Sequence, residues 1–257
     1  MDIQKLLAPF RRAVTDFSMI ADGDRIAAGV SGGKDSLTLL ALLKAYQRFS
    51  PEKFSLAAIT VDMGFEGADF GPIENYCREN GIDFYLVKTN IAKVIFDKTP
   101  KNPCSLCSKM RRGALNTKLN ELGFNKLALG HHMDDIIETF FLSLFFEGRL
   151  STFAPLCYLS RSGVTLIRPM IYIGERDTAG FAKTLPVVKN PCPADKHTQR
   201  QYMKELIRSV QEKIPFAKER IFGAVTHPER YNLWDGACQK YLDETAQSPD
   251  KNKDKTK

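Results

Sequence analysis

The stretch SGGKDS, residues 31–36, lies between an apolar run at residues 26–30 and a leucine-rich segment that begins at Leu37. This order predicts a buried strand, a glycine turn and a helix. Such a turn directs backbone N–H groups and the positive end of a helix dipole to one point, which favours a phosphate site. The stretch lacks the GxxxxGK[ST] spacing of the common nucleoside-triphosphate loop, which excludes that loop. The alternative is a glycine turn that only joins strand to helix.

The polar side chains around the glycines favour the phosphate site over a plain turn. Lys34 supplies a positive charge for phosphate. Asp35 is expected to orient the loop or to help hold Mg²⁺ through water. The remaining residues of the stretch are expected to donate backbone or hydroxyl hydrogen bonds to phosphate oxygens: Ser31, Gly32, Gly33 and Ser36.

Apolar runs alternate with helical patterns along the chain. Strands are predicted at residues 25–30, 55–61, 84–87, 126–129 and 164–169, and helices at 3–18, 37–49, 73–80, 109–122, 134–147, 175–183 and 199–213. This alternation predicts βαβ units, hence an α/β fold with a mostly parallel sheet and helices on both faces. Ligands of such sheets bind at the carboxyl ends of the strands, which is where the glycine turn falls.

The length of the chain limits its domain organisation, and its net charge bears on the partners it could bind. The 257 residues predict a catalytic domain at 1–213, a small helical extension at 214–244 and a disordered, charged tail at 245–257. Neither a membrane-spanning run nor a secretion signal is seen, so a cytoplasmic location without membrane contact is expected. The net charge of +7, from 37 basic and 30 acidic residues, is compatible with a polyanionic partner but does not establish one.

The chain has six cysteines, and its expected cytoplasmic location argues against a disulfide framework. Cys104 and Cys107 form a C-x-x-C pair, and Cys192 stands far downstream between two prolines. These three thiols suit either a metal or a redox pair. A four-ligand zinc site would need one more ligand, and His197 is near enough in sequence to supply it. The other three are expected to be small apolar residues: Cys77, Cys157 and Cys238.

Carboxylates follow two of the predicted strands. Asp62 ends the second strand and is expected to meet the adenosine half of a nucleotide, with a plain turn carboxylate as the alternative. The segment GHHMDD, residues 130–135, follows another strand and opens a strongly apolar helix. Asp134, Asp135 and Glu138 fall on its first turn, where they could hold a magnesium–pyrophosphate group. Capping of the helix N-terminus is the alternative.

These segments, taken together and in this order, resemble the TtcA family, the tRNA 2-thiocytidine synthetases of the PP-loop ATP pyrophosphatase superfamily. The resemblance rests on SGGKDS, CSLCSKMRRGAL, LALGHHMDDIIET and the cysteine before QRQ, and it runs from about Leu6 to Arg208. It implies a Rossmann-like fold of the adenine nucleotide alpha hydrolase type. It also implies an enzyme that adenylates the C2 carbonyl of a tRNA cytidine, anticodon-loop position 32 in the family, and replaces the oxygen by sulfur, with release of AMP and pyrophosphate.

The resemblance also implies roles for individual residues. In the family three cysteines hold a [4Fe–4S] cluster with one open iron, and the matching residues are Cys104, Cys107 and Cys192. Some relatives have a second C-x-x-C around the third ligand, whereas Lys189 takes the earlier position here. Catalytic roles fall on Lys34, Asp35, Arg111 and Asp135. ATP contacts fall on Ser31, Gly32, Gly33, Lys34, Asp35, Ser36, Asp62 and Gly130, and Mg²⁺ is expected on Asp35, Asp134 and Asp135.

The expected partners are tRNA, a cysteine desulfurase or other sulfide donor, and a second copy of the chain. Basic residues on two helices are candidates for the tRNA contact, with a solvated basic face as the alternative: Lys109, Arg112, Arg200 and Lys204. The homodimer is implied by the family and by the apolar face at residues 140–146, which could instead be core.

Three other functions fit parts of the pattern. A different PP-loop enzyme could amidate a tRNA base or attach lysine to it, with the cysteines incidental. A cluster enzyme could remove sulfur from thiolated bases or small molecules. A non-catalytic protein could bind tRNA or carry sulfur, although the intact SGGKDS stretch argues against it.

Overall fold

The structure is a computed structural model that describes residues 2–98, 103–189, 191–192, 199–231, 240 and 243–244. His197, Cys238 and the predicted tail at 245–257 lie outside the described residues. The strands are β1 (Arg25–Gly29), β2 (Ser55–Asp62), β3 (Asp83–Lys88), β4 (Lys126–Ala128), β5 (Leu156–Leu159) and β6 (Val164–Ile167). The helices are α1 (Gln4–Asp16), α2 (Lys34–Tyr46), α3 (Gly71–Glu79), α4 (Ile91–Lys98), α5 (Pro103–Leu122), α6 (Met133–Glu147), α7 (Glu175–Ala182), α8 (Gln199–Lys213) and α9 (Ala217–Thr226).

The strands form one sheet in the order β3-β2-β1-β4-β6-β5. All neighbouring pairs are parallel except β5 with β6. Ile26 of β1 lies opposite Leu56 of β2 and Lys126 of β4, so β1 and β4 are neighbours although they are far apart in sequence. The loops that follow these two strands therefore meet at one edge of the sheet. The predicted mostly parallel α/β sheet is confirmed.

Alternating strand residues pack on the two faces of the sheet. Ile26 and Ala28 belong to one buried cluster, with side chains of α1, α2 and α3, whereas Ala27 belongs to a second cluster with Leu115 and Leu119 of α5. The strands of a parallel sheet are apolar on both faces, so both faces must be covered. The helices of the βαβ crossovers supply this cover. The prediction of helices on both faces is confirmed.

Three elements differ from the sequence prediction. Helix α5 begins at Pro103, so the C-x-x-C pair lies inside the helix rather than before a helix at 109–122. Proline suits the first helical position because its fixed φ matches the helix and its missing N–H has no intrahelical partner there. Helix α4 and strand β5 were not predicted, and β5 is a four-residue edge strand whose side chains are mostly exposed.

Helix α6 is buried at its beginning and exposed at its end. Ile136 and Ile137 belong to the core, whereas Phe145 is 56% and Phe146 52% exposed. The first half of this strongly apolar helix is thus part of the core, and its last residues are not. No helix among the described residues is both long and apolar enough to span a bilayer. The boundaries of the predicted domain, extension and tail stay predictions.

Candidate nucleotide and thiol site

The glycine loop, residues 31–36, comprises the turn after β1 and the first three residues of α2, and it is closed by a serine hydroxyl. Ser36 Oγ accepts a hydrogen bond from the Ser31 N–H (3.1 Å) and lies 2.9 Å from the Gly33 carbonyl oxygen, to which it donates. Gly32 has φ +85°, a left-handed conformation in which a side chain would be strained. Gly33 is extended and precedes the first turn of α2. The loop thus presents the N-terminus of α2, as the sequence predicts.

Lys34 lies between two carboxylates. Its Nζ is 2.8 Å from both carboxylate oxygens of Asp35 and 3.2 Å from Glu175 Oε1, at the start of α7. Burial opposes the charge on Lys34, but the two carboxylates outweigh it and raise the pKa of Lys34. The ammonium group is therefore held charged at the N-terminus of α2.

Glu175 also binds Lys204, on α8. Burial alone would raise the pKa of Glu175, but the hydrogen bond from Lys204 and the charge of Lys34 outweigh it and lower that pKa to about 2. Glu175 is a carboxylate shared between two ammonium groups.

The segment after β4 contacts the glycine loop directly. His132 precedes α6, and its N–H donates to Asp135 Oδ2 (2.9 Å) while its Nδ1 accepts from the Asp135 N–H (3.4 Å). This reciprocal pair caps the helix, so capping, weighed above as the alternative role, is what Asp135 performs here. His132 Nε2 lies 3.6 Å from Asp35 Oδ1, and Gly130 packs on the Asp35 backbone.

Asp134 is buried and binds two other helices. Its Oδ2 accepts from the Glu175 N–H of α7 (2.7 Å), and its Oδ1 accepts from Lys218 Nζ of α9 (2.6 Å). Asp134 therefore fastens α7 and α9 to the start of α6. The magnesium role of Asp35, Asp134 and Asp135 stays a prediction.

Glu138 and Arg200 connect α6 to α8. Arg200 Nη1 is 3.1 Å from Glu138 Oε2 and 3.6 Å from Asp135 Oδ1, and Nη2 donates to Thr139 Oγ1 (3.1 Å). Burial, together with the charge of Asp135, raises the pKa of Glu138. Arg200 and Lys204, both predicted to contact tRNA, thus bind carboxylates beside the glycine loop. Their tRNA contact stays a prediction.

The three predicted cluster ligands lie in one neighbourhood. Cys104 and Cys107 are three residues apart at the start of α5 and so share a face of the helix. Burial raises the pKa of the Cys107 thiol, Arg111 lowers it, and the nearby Cys192 and Cys104 raise it further. The Cys107 Sγ is 3.5 Å from the sulfur of Met63, which follows the last residue of β2. In the part of the chain that the structure describes, no three His, Cys, Asp or Glu side chains form a ready metal site.

Other predicted site residues lie at the edges of this region. Asp62 Oδ1 accepts from the Gly64 N–H (2.8 Å), which is the turn geometry weighed as its alternative role. Lys109, Arg111 and Arg112 lie on α5 after the C-x-x-C, and all three are exposed. Adenosine binding by Asp62, catalysis by Arg111 and tRNA binding by Lys109 and Arg112 stay predictions.

Residues 4–210 match the PP-loop domain family. The curated tRNA-cytidine(32) 2-sulfurtransferase of Geobacter sulfurreducens is 40% identical over 238 residues, which cover 90% of this chain and 93% of that protein. The chain belongs to the TtcA family of PP-loop enzymes. A TtcA relative in Pseudomonas fluorescens strain Pf0-1, with the same curated name, is 39% identical over 246 residues, 92% of this chain and 89% of the relative.

Solved structures agree with the TtcA assignment. The U34-tRNA thiolase NcsA from Methanococcus maripaludis with its [4Fe–4S] cluster aligns at TM-score 0.71 and 26% identity, over 90% of this chain and 80% of that one. An NAD⁺ synthetase from Burkholderia pseudomallei aligns at TM-score 0.51 and 15% identity, over 89% of this chain and 90% of the other. The second likeness concerns the fold alone, and it agrees with the Rossmann-like arrangement expected of a TtcA protein.

Two residues of this TtcA site were not singled out in the sequence. Glu175 carries a signal that could have found it, because an acidic residue directly after Gly174 and at the start of a helix is favoured there by the dipole. Lys218 carries none, since its partner Asp134 is 84 residues away in the chain.

Proposed function

We propose that the chain is an ATP-dependent tRNA sulfurtransferase that replaces the C2 oxygen of a cytidine, position 32 in the curated relatives, by sulfur. One contact carries the proposal. The Val188 N–H donates to the carbonyl oxygen of Gly32 (2.9 Å), four residues before Cys192. The predicted third sulfur ligand thus lies four residues from a direct contact with the glycine loop, which supports a site in which the nucleotide and the thiols are neighbours.

The residues of the glycine loop would serve the activation step. The target base is extruded from its RNA loop so that its C2 carbonyl oxygen can reach the α-phosphorus of ATP. Attack forms the O–P bond of an adenylate, and pyrophosphate leaves. Its developing charge is stabilised by the loop N–H groups and by Lys34, which Asp35 and Glu175 hold in place. Sulfide then attacks C2, and AMP departs with the former carbonyl oxygen.

The three thiols fit the [4Fe–4S] cluster that the structural relative carries. Thiolates are the usual ligands of iron–sulfur clusters, and three of them leave one iron open to bind sulfide. Cys107 and Cys192 are partly buried and Cys104 is exposed, which suits a group shielded on one side and reachable on the other. Cys104, Cys107 and Cys192 would hold the cluster, and the cluster would supply the sulfur. Zinc remains the alternative through His197, and Mg²⁺ is proposed for the pyrophosphate.

The proposed partners follow from the same reaction. tRNA is the substrate, and a cysteine desulfurase or another sulfide donor supplies sulfur. The proposed location of the reaction is the cytoplasm. Lys109 and Arg112 are exposed on α5 beside the thiols and are the proposed phosphate contacts of the RNA. A homodimer would cover the exposed rings of Phe145 and Phe146.

The deciding experiment compares tRNA nucleosides from cells with and without the gene by mass spectrometry. We expect 2-thiocytidine to disappear on deletion and to return with the intact gene and with Cys157→Ala, whose thiol is exposed and far along the sequence from the other three. Cys192→Ala should not restore it, while the purified variant still binds ATP. Full restoration by Cys192→Ala would overturn the proposal. Sulfide release without ATP consumption would identify a desulfurating enzyme instead.

A further inference from the structure

Described residues on either side of Cys192 are connected to the glycine loop. Before it, Val188 is hydrogen-bonded to Gly32, and a Cβ at Gly32 would already lie 3.2 Å from the Cβ of Val188. After it, α8 begins at Gln199 and carries Lys204, whose ammonium binds Glu175. The chain before Cys192 therefore contacts the loop directly, and the helix after it is connected to Lys34 of the loop through Glu175.

Glu175 forms the second of these connections. Its Oε1 accepts from Lys34 Nζ (3.2 Å) and also from Lys204 Nζ. This single carboxylate oxygen thus connects Lys34 of the glycine loop to Lys204 of α8, the helix that follows Cys192. Arg200, one turn before Lys204, is bound to Glu138 of α6, so α8 is attached at two points along the same side.

The carboxylate of Glu175 is held in place by its surroundings. Its own N–H donates to the buried Asp134, and its side chain is only 22% exposed. Lys34 and Lys204 are 33% and 34% exposed. An arrangement with this degree of burial and a fixed backbone differs from a surface ion pair, which is free to rearrange and is screened by salt.

We propose that Glu175 is a positioning residue that orients Lys34 toward the phosphates of ATP and couples Lys34, through Lys204, to the segment that carries Cys192. This inference rests on the proposed function, because it requires ATP on the glycine loop. Glu175 itself does not touch the reacting atoms.

The charges around Lys34 predict how Lys204 affects ATP binding. The triphosphate is an anion that approaches Lys34 beside the carboxylates of Asp35 and Glu175. Lys204 compensates the charge of Glu175, so that Lys34 remains available to phosphate. Without Lys204, the uncompensated carboxylate repels the triphosphate and competes with it for Lys34. The effect of Lys204 on ATP binding must therefore pass through Glu175.

A double-mutant cycle tests this dependence. The dissociation constant of ATP with Mg²⁺ is measured by calorimetry on the full-length protein and on Lys204→Met, Glu175→Gln and the double variant. Lys204→Met should weaken ATP binding about fivefold, the upper range for a partly exposed ion pair. In the Glu175→Gln background, Lys204→Met should raise the dissociation constant by less than about twofold. Arg208→Met, exposed one turn further along α8, is the matched control and should leave the constant unchanged.

Steady-state kinetics separate positioning from a structural role. Glu175→Gln should not raise KM for ATP, because a negative charge near the triphosphate is removed. It should lower kcat about tenfold, because Lys34 is no longer held for the leaving pyrophosphate. Glu175→Asp keeps the charge and should recover part of kcat. A purely structural residue would lower thermal stability without this split between KM and kcat.

Two results would overturn the inference. One is an equal effect of Lys204→Met with and without Glu175, and the other is an unchanged kcat in folded Glu175→Gln. If Glu175→Gln does not fold, the cycle is run with Glu175→Asp, which moves the carboxylate by one methylene. Failure of the proposed function is distinguishable, because in that case 2-thiocytidine would persist in tRNA from the deletion strain whatever the result of the cycle.

Discussion

Gly130 lies so close to the backbone of Asp35 that a Cβ on Gly130 would come 2.7 Å from the Asp35 carbonyl oxygen and 2.9 Å from its carbonyl carbon. The neighbouring atoms belong to the first turn of α2, which cannot shift without moving the glycine loop. Only glycine permits such a close approach of two backbones. The loop after β4 therefore sets the position of the loop after β1.

Gly130→Ala should displace the glycine loop and weaken ATP binding at least about tenfold, with a loss of about 1–3 kcal/mol in the free energy of unfolding. Gly113→Ala on α5 is the control, because a Cβ there meets open space. It should stabilise the protein by about 0.5–1 kcal/mol through helix propensity and leave ATP binding unchanged. Calorimetric titration and urea unfolding measure both quantities, and normal ATP binding by Gly130→Ala would contradict the close packing.

Lys34→Ala should abolish measurable ATP binding in the micromolar range, because the loop loses its one lysine while the Asp35 carboxylate remains without its ammonium partner. Lys44→Ala near the end of the same helix is the matched control. Lys44 Nζ donates to the Gly81 carbonyl oxygen (3.2 Å), far along α2 from the loop, so ATP binding should be retained. Comparable affinities for the two variants would exclude Lys34 from the phosphate site.

Asp134→Asn should destabilise the protein by about 1.5–3 kcal/mol, the usual range for hydrogen bonds to a charged group. The amide replaces one acceptor oxygen by a donor, so either Lys218 or the Glu175 N–H loses its partner. Urea midpoints of the purified variants give the measurement. Glu147→Gln, at the exposed end of the same helix, should change stability by less than about 0.5 kcal/mol. Equal midpoints for the two variants would show that Asp134 does not fasten α7 and α9.

His131 should make the folded state sensitive to mild acid. Burial, with Arg168 and Arg200 nearby, lowers the pKa of His131 to about 4, although Asp135 acts in the opposite direction. The imidazole in the unfolded chain has its ordinary pKa of about 6.5. Because the folded pKa is the lower one, the stability contribution is complete above about pH 6.5 and is lost as the pH falls toward 4.

His131→Gln should remove that part of the pH dependence, measured as urea midpoints between pH 7.5 and 4. His227→Gln keeps His131 and should retain the dependence. An identical pH profile for the protein and for His131→Gln would contradict a buried, neutral His131.

The core of the fold was predictable because its signals are local. Residues 26–30 are continuously apolar, and the glycine turn after them marks the change from strand to helix. Helix α8 was predicted at its observed bounds, since its apolar residues recur at helical spacing. Strand β5 gave no such signal: it pairs with β6 at an edge, and its side chains do not alternate between buried and exposed.

The site was predictable in its residue types and less so in its contacts. The polar residues of the glycine loop, the three cysteines and the carboxylates after β4 were each visible in the sequence. Capping of α6 is a local contact between His132 and Asp135 and was weighed as an alternative from the sequence. That Asp134 binds Lys218 follows from packing between distant segments, which one sequence does not reveal. The same reason explains Arg200 and Lys204: their charge suggested RNA, whereas their position beside Glu138 and Glu175 depends on how α8 docks.

Of the thiols that the structure describes, only Cys77 belongs to the buried apolar core, and the three predicted iron ligands lie outside it. The sheet and its covering helices can thus form before any iron arrives. In small zinc domains metal binding and folding are one event, whereas the core of this protein contains none of the three predicted ligands. If the proposed function holds, cluster insertion would be a maturation step on a finished scaffold, and cells short of iron would accumulate a folded protein that transfers no sulfur.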